Sequence, residues 1–209
     1  DVGSHDFCNE IMEDFIRTFG KIDVLINNAG GALQIPGGPK GEFKDMPMEY
    51  WDSQMNLNLN SAAYLSRYAV EDMIAKGTEG RIVNISSVHG QVTWVHRRML
   101  PYSAAKAGLN MFTKALGVEV AKYGIRVNCV APGFIYTKLS ERYSKENLIS
   151  FSHKIPVGRG GTVEEIVPMI QFLSDVEKAR FIVGQVICVD GGQSCDGSIE
   201  SMNFTLGEE

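Results

Sequence analysis

Cysteine is scarce in this sequence and its placement is scattered. Cys8, Cys129, Cys188 and Cys195 form no Cys-x-x-Cys pair, and the four histidines show no metal-ligand spacing. No zinc site or disulfide framework is therefore expected. Cys129 and Cys188 lie inside the apolar runs RVNCVA and QVICVD, where a free thiol acts as a small hydrophobe and points to a reducing compartment. Positive charge is short as well: 20 Lys and Arg against 25 Asp and Glu leave a net charge of -5, which argues against a nucleic-acid or anionic-membrane partner. No apolar run approaches the ~20 residues that a bilayer helix needs, and the opening residues carry no secretory pattern. The expected compartment is the cytoplasm.

What is present is ordinary for a globular protein. The 209 residues are 44% hydrophobic and 22% charged, enough for one domain with a sizeable core. Residues 4–19 place Phe7, Ile11, Met12, Phe15, Ile16 and Phe19 at helical spacing, with Ser4 as N-cap and Gly20 as stop. The run KIDVLINNAG then reads as a strand buried on both faces. A long helix is expected over 48–76, ended by Gly77, and further strands over 81–87, 125–130 and 186–190. A third helix covers 102–122, and Thr162 to Glu165 form a capping box that opens a fourth, with Pro168 inside it.

Strands that alternate with helices predict an α/β fold, a doubly wound parallel sheet with helices on both faces. Ligands of such sheets bind beyond the carboxyl ends of the strands. Small and polar residues stand at those points: Asn27-Asn28-Ala29-Gly30, then Ser86-Ser87, then Ala131-Pro132-Gly133. Tyr102 and Lys106 lie one helical turn apart in PYSAAKAG, with only Ser103, Ala104 and Ala105 between them. Ser87, Tyr102 and Lys106 should converge on one crevice.

Taken in order, NNAG (27–30), Trp51 to Asn58, IVNISSVHG (82–90), YSAAKAGL (102–109), IRVNCVAPGFIYT (125–137) and VDGG (189–192) resemble the short-chain dehydrogenase/reductase family. The resemblance implies a Rossmann-type fold and an NAD(P)-dependent oxidoreductase that moves a hydride between nicotinamide and an alcohol or ketone. Within it Tyr102 is the implied general acid/base, its pKa lowered by Lys106 and by oxidised nicotinamide. Lys106 would also hold the nicotinamide ribose, and Ser87 the substrate oxygen. Asn58, seven residues on from Trp51 in NLNLN, matches the fourth catalytic residue, which supports a water that passes protons to the lysine. The cofactor, NAD or NADP, would lie against Asn28, Ala29 and Gly30, against Pro132, Gly133, Ile135 and Thr137, and against Tyr102 and Lys106. Asp1 and Val2 match an acidic pair beside the adenine. No metal site is implied. The implied assembly is a homodimer or homotetramer built through the long helices and the last strand.

One part of the family pattern is not found. No Thr-Gly-x-x-x-Gly-x-Gly turn for the pyrophosphate occurs in the sequence, and the chain opens at Asp1-Val2-Gly3. The expectation is a Rossmann-type domain over residues 1–192 that lacks its N-terminal strands, roughly sixty residues at about thirty per βαβ unit, followed by a polar tail over 193–209. The KIDVLI strand would then form a bare edge. Segments 31–47 and 91–101, the latter with Trp94, His96, Arg97 and Arg98, are expected to shape the substrate pocket, under a lid at 138–160. Two alternatives stay open: a truncated non-catalytic or regulatory subunit that keeps the oligomer interface, and a nucleotide sensor without turnover. The substrate, whether polyol, sugar, steroid or acyl-type ketone, and the choice of NAD or NADP are not legible.

Overall fold

A computed structural model describes residues 1–32, 42–93, 99–138 and 140–195. Most of the 31–47 loop, the residues Trp94, His96, Arg97 and Arg98, and the tail after Cys195 lie outside the described residues. The elements run α1 (His5–Phe19), β1 (Val24–Asn27), α2 (Met48–Met55), α3 (Ser61–Lys76), β2 (Arg81–Ile85), α4 (Leu100–Val120), β3 (Arg126–Pro132), α5 (Lys145–Ser152), α6 (Val163–Ser174) and β4 (Val186–Val189). The four strands form one parallel sheet in the order β1-β2-β3-β4. On one face α3 and α4 pack against the sheet and α1 leans on α3, burying Met12, Met73, Ile82, Val120 and Val127. On the other, α6 covers β2, β3 and β4 and buries Ile166 and Leu173 against Val83 and Val130.

Local chemistry sets most of the element ends. Ser4 Oγ accepts from the Phe7 N–H, and Gly20 ends α1 at φ 85°. Thr162 and Glu165 form the expected capping box: Glu165 Oε2 accepts from the Thr162 N–H at 2.9 Å. Arg159 grips the same carboxylate through both nitrogens, at 2.8 and 2.7 Å, and with that capping bond holds its pKa down at about 2.

Two expectations need correction. The 48–76 helix is not uniform, because residues Asn56–Asn60 form a π-helical turn. Asn58 Nδ2 donates to the Gln54 carbonyl, the group an α-helix would give to the Asn58 backbone, and the Ser61 N–H reaches back to Asn56 instead. The first strand is also not buried on both faces. Leu25 and Asn27 face α3, whereas Val24 and Ile26, on the other side, are 38% and 45% exposed. Helix α6 covers the rest of that face but not β1, which forms an edge of the sheet.

The buried polar residues in these strands are paired across elements. Asn27 Nδ2 donates to Asn84 Oδ1 at 2.8 Å and to Ser66 Oγ at 3.1 Å, and Asn84 Nδ2 donates to Thr113 Oγ1 at 2.9 Å. This chain of bonds ties β1, β2, α3 and α4 together just below the carboxyl ends of the strands and, among the described residues, leaves Asn27 Oδ1 as its one buried atom without a partner. At the opposite end, Arg81 is 1% exposed. Its guanidinium donates to the carbonyls of Gly80 (2.8 Å), Glu79 (3.3 Å), Gly124 (3.4 Å) and Val176 (2.7 Å).

Candidate active site

Beyond Ile85 the chain turns tightly onto α4. The Ser86 N–H donates to the Val130 carbonyl at 2.8 Å, and Ser86 Oγ donates to the Lys106 carbonyl at 3.2 Å. Gly90 closes this turn: a Cβ there would lie 2.8 Å from the Lys106 carbonyl group. So close a contact brings the extended Ser87 to the first turn of α4, which Pro101 opens. Ser87 Oγ accepts from the His89 N–H at 3.2 Å, and its hydroxyl stands near enough to the Tyr102 phenol to favour the phenolate. The His89 ring sits edge-on to Tyr102, with centroids 6.0 Å apart.

Lys106 is 3% exposed. Its Nζ lies 5.8 Å from the Tyr102 ring centroid and donates to the Ile85 carbonyl at 2.8 Å. Asn58 is 1% exposed and clasps the backbone of Gly31 from both sides: Oδ1 accepts from the Gly31 N–H at 2.8 Å, and Nδ2 donates to the Gly31 carbonyl at 3.1 Å. Between the two stands Gly30. A Cβ at this position would meet Asn58 Oδ1 at 2.9 Å and Lys106 Nζ at 3.1 Å. The glycine thus lets a backbone turn pass between an amide and an ammonium. Asn56 and Asn60 do not share this site; they hydrogen-bond to each other at 2.7 Å.

The electrostatics differ from the expected lowering of the Tyr102 pKa. Burial raises it, and the Ser87 hydroxyl offsets only part of the rise. The lysine cannot reverse the balance, because its Nζ is committed to Ile85 and is itself destabilised. Burial pulls the Lys106 pKa down to about 8. Both groups therefore lean toward their neutral forms.

The residues implied for the cofactor fall into three groups. Asn28, Ala29 and Gly30 are exposed at the carboxyl end of β1, directly beside buried Asn58 and Lys106. Pro132, Gly133 and Ile135 are half-buried and Thr137 is exposed, along the segment that leaves β3. The contacts of Asp1 and Val2 are local: Asp1 Oδ1 accepts from the Gly3 N–H, and the Val2 carbonyl from the Cys8 thiol. The exposed Asn28–Gly30 turn runs past Asn58 and Lys106, and Lys106 Nζ lies 5.8 Å from the centre of the Tyr102 ring, so hydroxyl, amide and ammonium donors of the kind a dinucleotide's ribose needs are gathered at the carboxyl ends of the strands.

Sequence reasoning missed three residues. Gln54 is fully buried, and its Oε1 accepts from Asn58 Nδ2 at 3.1 Å. His89 packs on Tyr102. Gln193 accepts from the Phe134 N–H at 2.9 Å, across 59 residues. Only His89 left a signal, its place two residues after Ser87. The other two act through contacts that no spacing announces.

Comparison with known proteins agrees with the fold. A family model described as enoyl-(acyl carrier protein) reductase matches residues 1–194. An uncharacterized oxidoreductase from Schizosaccharomyces pombe is 41% identical over 195 residues, spanning 92% of this chain and 72% of that protein. A 3-oxoacyl-[acyl-carrier-protein] reductase, FabG, from Buchnera aphidicola is 40% identical over 190 residues, spanning 88% of this chain and 72% of its own. Among solved structures, a short-chain type dehydrogenase/reductase from Mycobacterium marinum superposes with a TM-score of 0.85 at 28% identity, over 94% of this chain and 74% of that one. The structure described as ElxO with NADP bound gives 0.83 at 31% identity, over 94% and 77%.

Proposed function

Because the chain belongs to the short-chain dehydrogenase/reductase family, we propose that it transfers a hydride between a nicotinamide dinucleotide and a ketone or alcohol, with carbonyl reduction favoured at neutral pH. One observation carries the reading: the turn at Gly30 passes between Asn58 and Lys106, and Lys106 Nζ lies 5.8 Å from the ring of Tyr102, which stands beside Ser87. Bound NAD or NADP supplies or accepts the hydride. Tyr102, its pKa raised by burial, holds its proton at neutral pH and can give it to a carbonyl oxygen as that oxygen gains charge. Ser87 donates a hydrogen bond to the same oxygen and orients it. Lys106 holds the ribose hydroxyls and returns a proton toward Tyr102, and Asn58 fixes the Gly30–Gly31 turn beside the lysine and supports that relay.

Several relatives are named as 3-oxoacyl-[acyl-carrier-protein] reductases, which favours an acyl-type ketone among the substrates considered. Exposed Met111 and Val118 on the outer side of α4, 63% and 76% accessible, favour a homodimer or homotetramer through that helix. A cytoplasmic setting is part of the same reading. Among the described residues, no helix is long and apolar enough to cross a membrane.

Titration of the chain against NADH and NADPH tests the reading. The expected result is saturable enhancement of nicotinamide fluorescence. A folded sample that binds neither overturns it for this chain.

The direction of the reaction makes a further prediction. Reductive kcat/KM should hold through neutrality and fall as pH rises through about 8, where Lys106 loses its charge. Alcohol oxidation, which needs the Tyr102 phenolate, should instead rise with pH. A pH–rate profile in each direction checks this, and parallel profiles would sink the assignment.

A further inference from the structure

The segment that leaves β3 at Pro132 and returns to α6 at Gly161 is tied at both feet to one turn, Asp190 to Ser194, directly after β4. The Asp190 carboxylate shapes that turn: Oδ1 accepts from the Gly192 N–H at 3.0 Å and Oδ2 from the Ser194 N–H at 2.8 Å. On the outgoing foot, the Gly133 N–H donates to the Val189 carbonyl at 3.1 Å, and the Phe134 N–H to Gln193 Oε1 at 2.9 Å. On the returning side, the Val157 N–H donates to the Gly191 carbonyl at 3.2 Å. The two feet also bond to each other, Gly161 N–H to Phe134 O and Tyr136 N–H to Gly161 O, both at 2.9 Å.

Of the bonds described between the two feet and the β4 end with its turn, all but one join backbone to backbone. The exception is Gln193, and the chain makes room for it. A Cβ at Gly133 would lie 2.7 Å from Gln193 Oε1 and 2.8 Å from Asp190 Cα, so the small residue at 133 admits this carboxamide and this turn. The Phe134 ring packs on Tyr136, Tyr143 and Phe151, with centroids 5.5, 6.3 and 5.0 Å away, but the foot is not packed on every side. A cavity of about 140 Å³ lies beside it, lined in part by Phe134, Ile135, Val157 and Val189, and a void takes away the contacts that would otherwise oppose a shift.

We propose that Gln193 is a positioning residue: through the Phe134 N–H it sets where the Pro132–Thr137 segment stands, and through that segment how tightly the chain holds a nicotinamide dinucleotide. The inference rests on the reading above that Pro132, Gly133, Ile135 and Thr137 face the cofactor. Gln193 touches no reacting atom in this account. Its effect is carried by the one hydrogen bond that fixes the Phe134 N–H, on a foot whose neighbouring bonds, at Gly133 N–H, Phe134 O and Tyr136 N–H, are made by backbone alone.

The test uses the full chain with two substitutions. Gln193→Leu keeps the bulk and removes the acceptor; Gln193→Glu keeps an acceptor oxygen at the same reach on a half-buried side chain. Amide hydrogen exchange is read at Phe134, and KM and kcat are measured for NADH and NADPH. In Gln193→Leu, exchange at Phe134 should quicken on the order of tenfold, as loss of one hydrogen bond allows, while Val83 and Val127 keep their protection. The cofactor KM should rise by a similar factor, kcat should stay within about twofold, and Gln193→Glu should restore both readings. Unchanged exchange at Phe134 overturns the proposal. So does quickening shared equally by Val83 and Val127, faster exchange at Phe134 with an unaltered cofactor KM, or a Gln193→Glu variant that behaves like the leucine. If the wild-type chain binds neither NADH nor NADPH, the proposed function fails separately, and exchange at Phe134 with its rescue by Gln193→Glu decides the positioning role alone.

Discussion

Tyr102→Phe should abolish turnover, lowering kcat by about 10²–10⁴-fold, the usual loss when a positioned general acid is removed. The substitution deletes one oxygen and little else. The ring keeps its edge contact with His89 and its place on the first turn of α4, so cofactor affinity and Tm should change little. No neighbour can take over. The Ser87 hydroxyl is a far weaker acid, and Lys106 Nζ is engaged with the Ile85 carbonyl. Burial keeps the Tyr102 proton in place at neutral pH, so what is lost is the proton donor itself rather than a fraction of it. Steady-state kinetics with a reducible ketone measure the effect. A phenylalanine variant that retains a tenth of wild-type activity would remove Tyr102 from the role. A protein that only senses nucleotide would bind NADH or NADPH as before, whichever residue stands at 102.

Arg81→Met is expected to be the most damaging single change to stability. The guanidinium is 1% exposed and spans the carbonyls of Glu79 and Gly80 ahead of β2, Gly124 ahead of β3 and Val176 after α6. It fastens the amino ends of two strands to the end of a helix on the opposite face. Burial pulls its own pKa below the usual arginine value, so the desolvation penalty is substantial and the four acceptors offset it. Methionine fills much of the volume but leaves those carbonyls without this donor, at a cost of about 3–5 kcal/mol once the saved desolvation is set against it. In a chain of this size that corresponds to a Tm lower by roughly 10 °C. Lysine should rescue only part, since one ammonium cannot reach carbonyls that diverge in four directions as a planar fork can. Urea unfolding measures the difference. A methionine variant within 1 kcal/mol of wild type would mean that the four bonds only balance the cost of burying the charge.

The sequence made the site legible where chemistry and topology coincide. Tyr102 and Lys106 carry their relation in a spacing, Ser87 follows a strand, and the parallel sheet turns those local facts into one crevice. Asn58 was separable from Asn56 and Asn60 only by its distance from Trp51; the structure gives the reason, since the other two bond to each other. What was not legible depends on long-range neighbours. Val24 and Ile26 read as buried because an apolar run does not say which helices cover it. The direction of the Tyr102 pKa follows from where Lys106 Nζ points, which no spacing of residues encodes. Gln193 and Phe134 meet across 59 residues through a turn whose geometry depends on Asp190.

The π turn at Asn56–Asn60 has an architectural consequence. A residue in an α-helix advances about 100° around the axis, so a turn that takes one extra residue rotates everything after it by that angle. Read as a single helix, 48–76 would have to present one apolar stripe to one neighbour throughout. With the phase change it changes neighbours along its length: α2 packs on α4, while α3 packs mainly on α1 and β1. The carbonyl that shifts the phase is taken by the Asn58 side chain, the same group that clasps Gly31 beside Lys106. One asparagine thus steers a helix between two partners while facing the crevice, and a sequence that lost it would have to re-aim α3 as well as rebuild the turn beside Lys106.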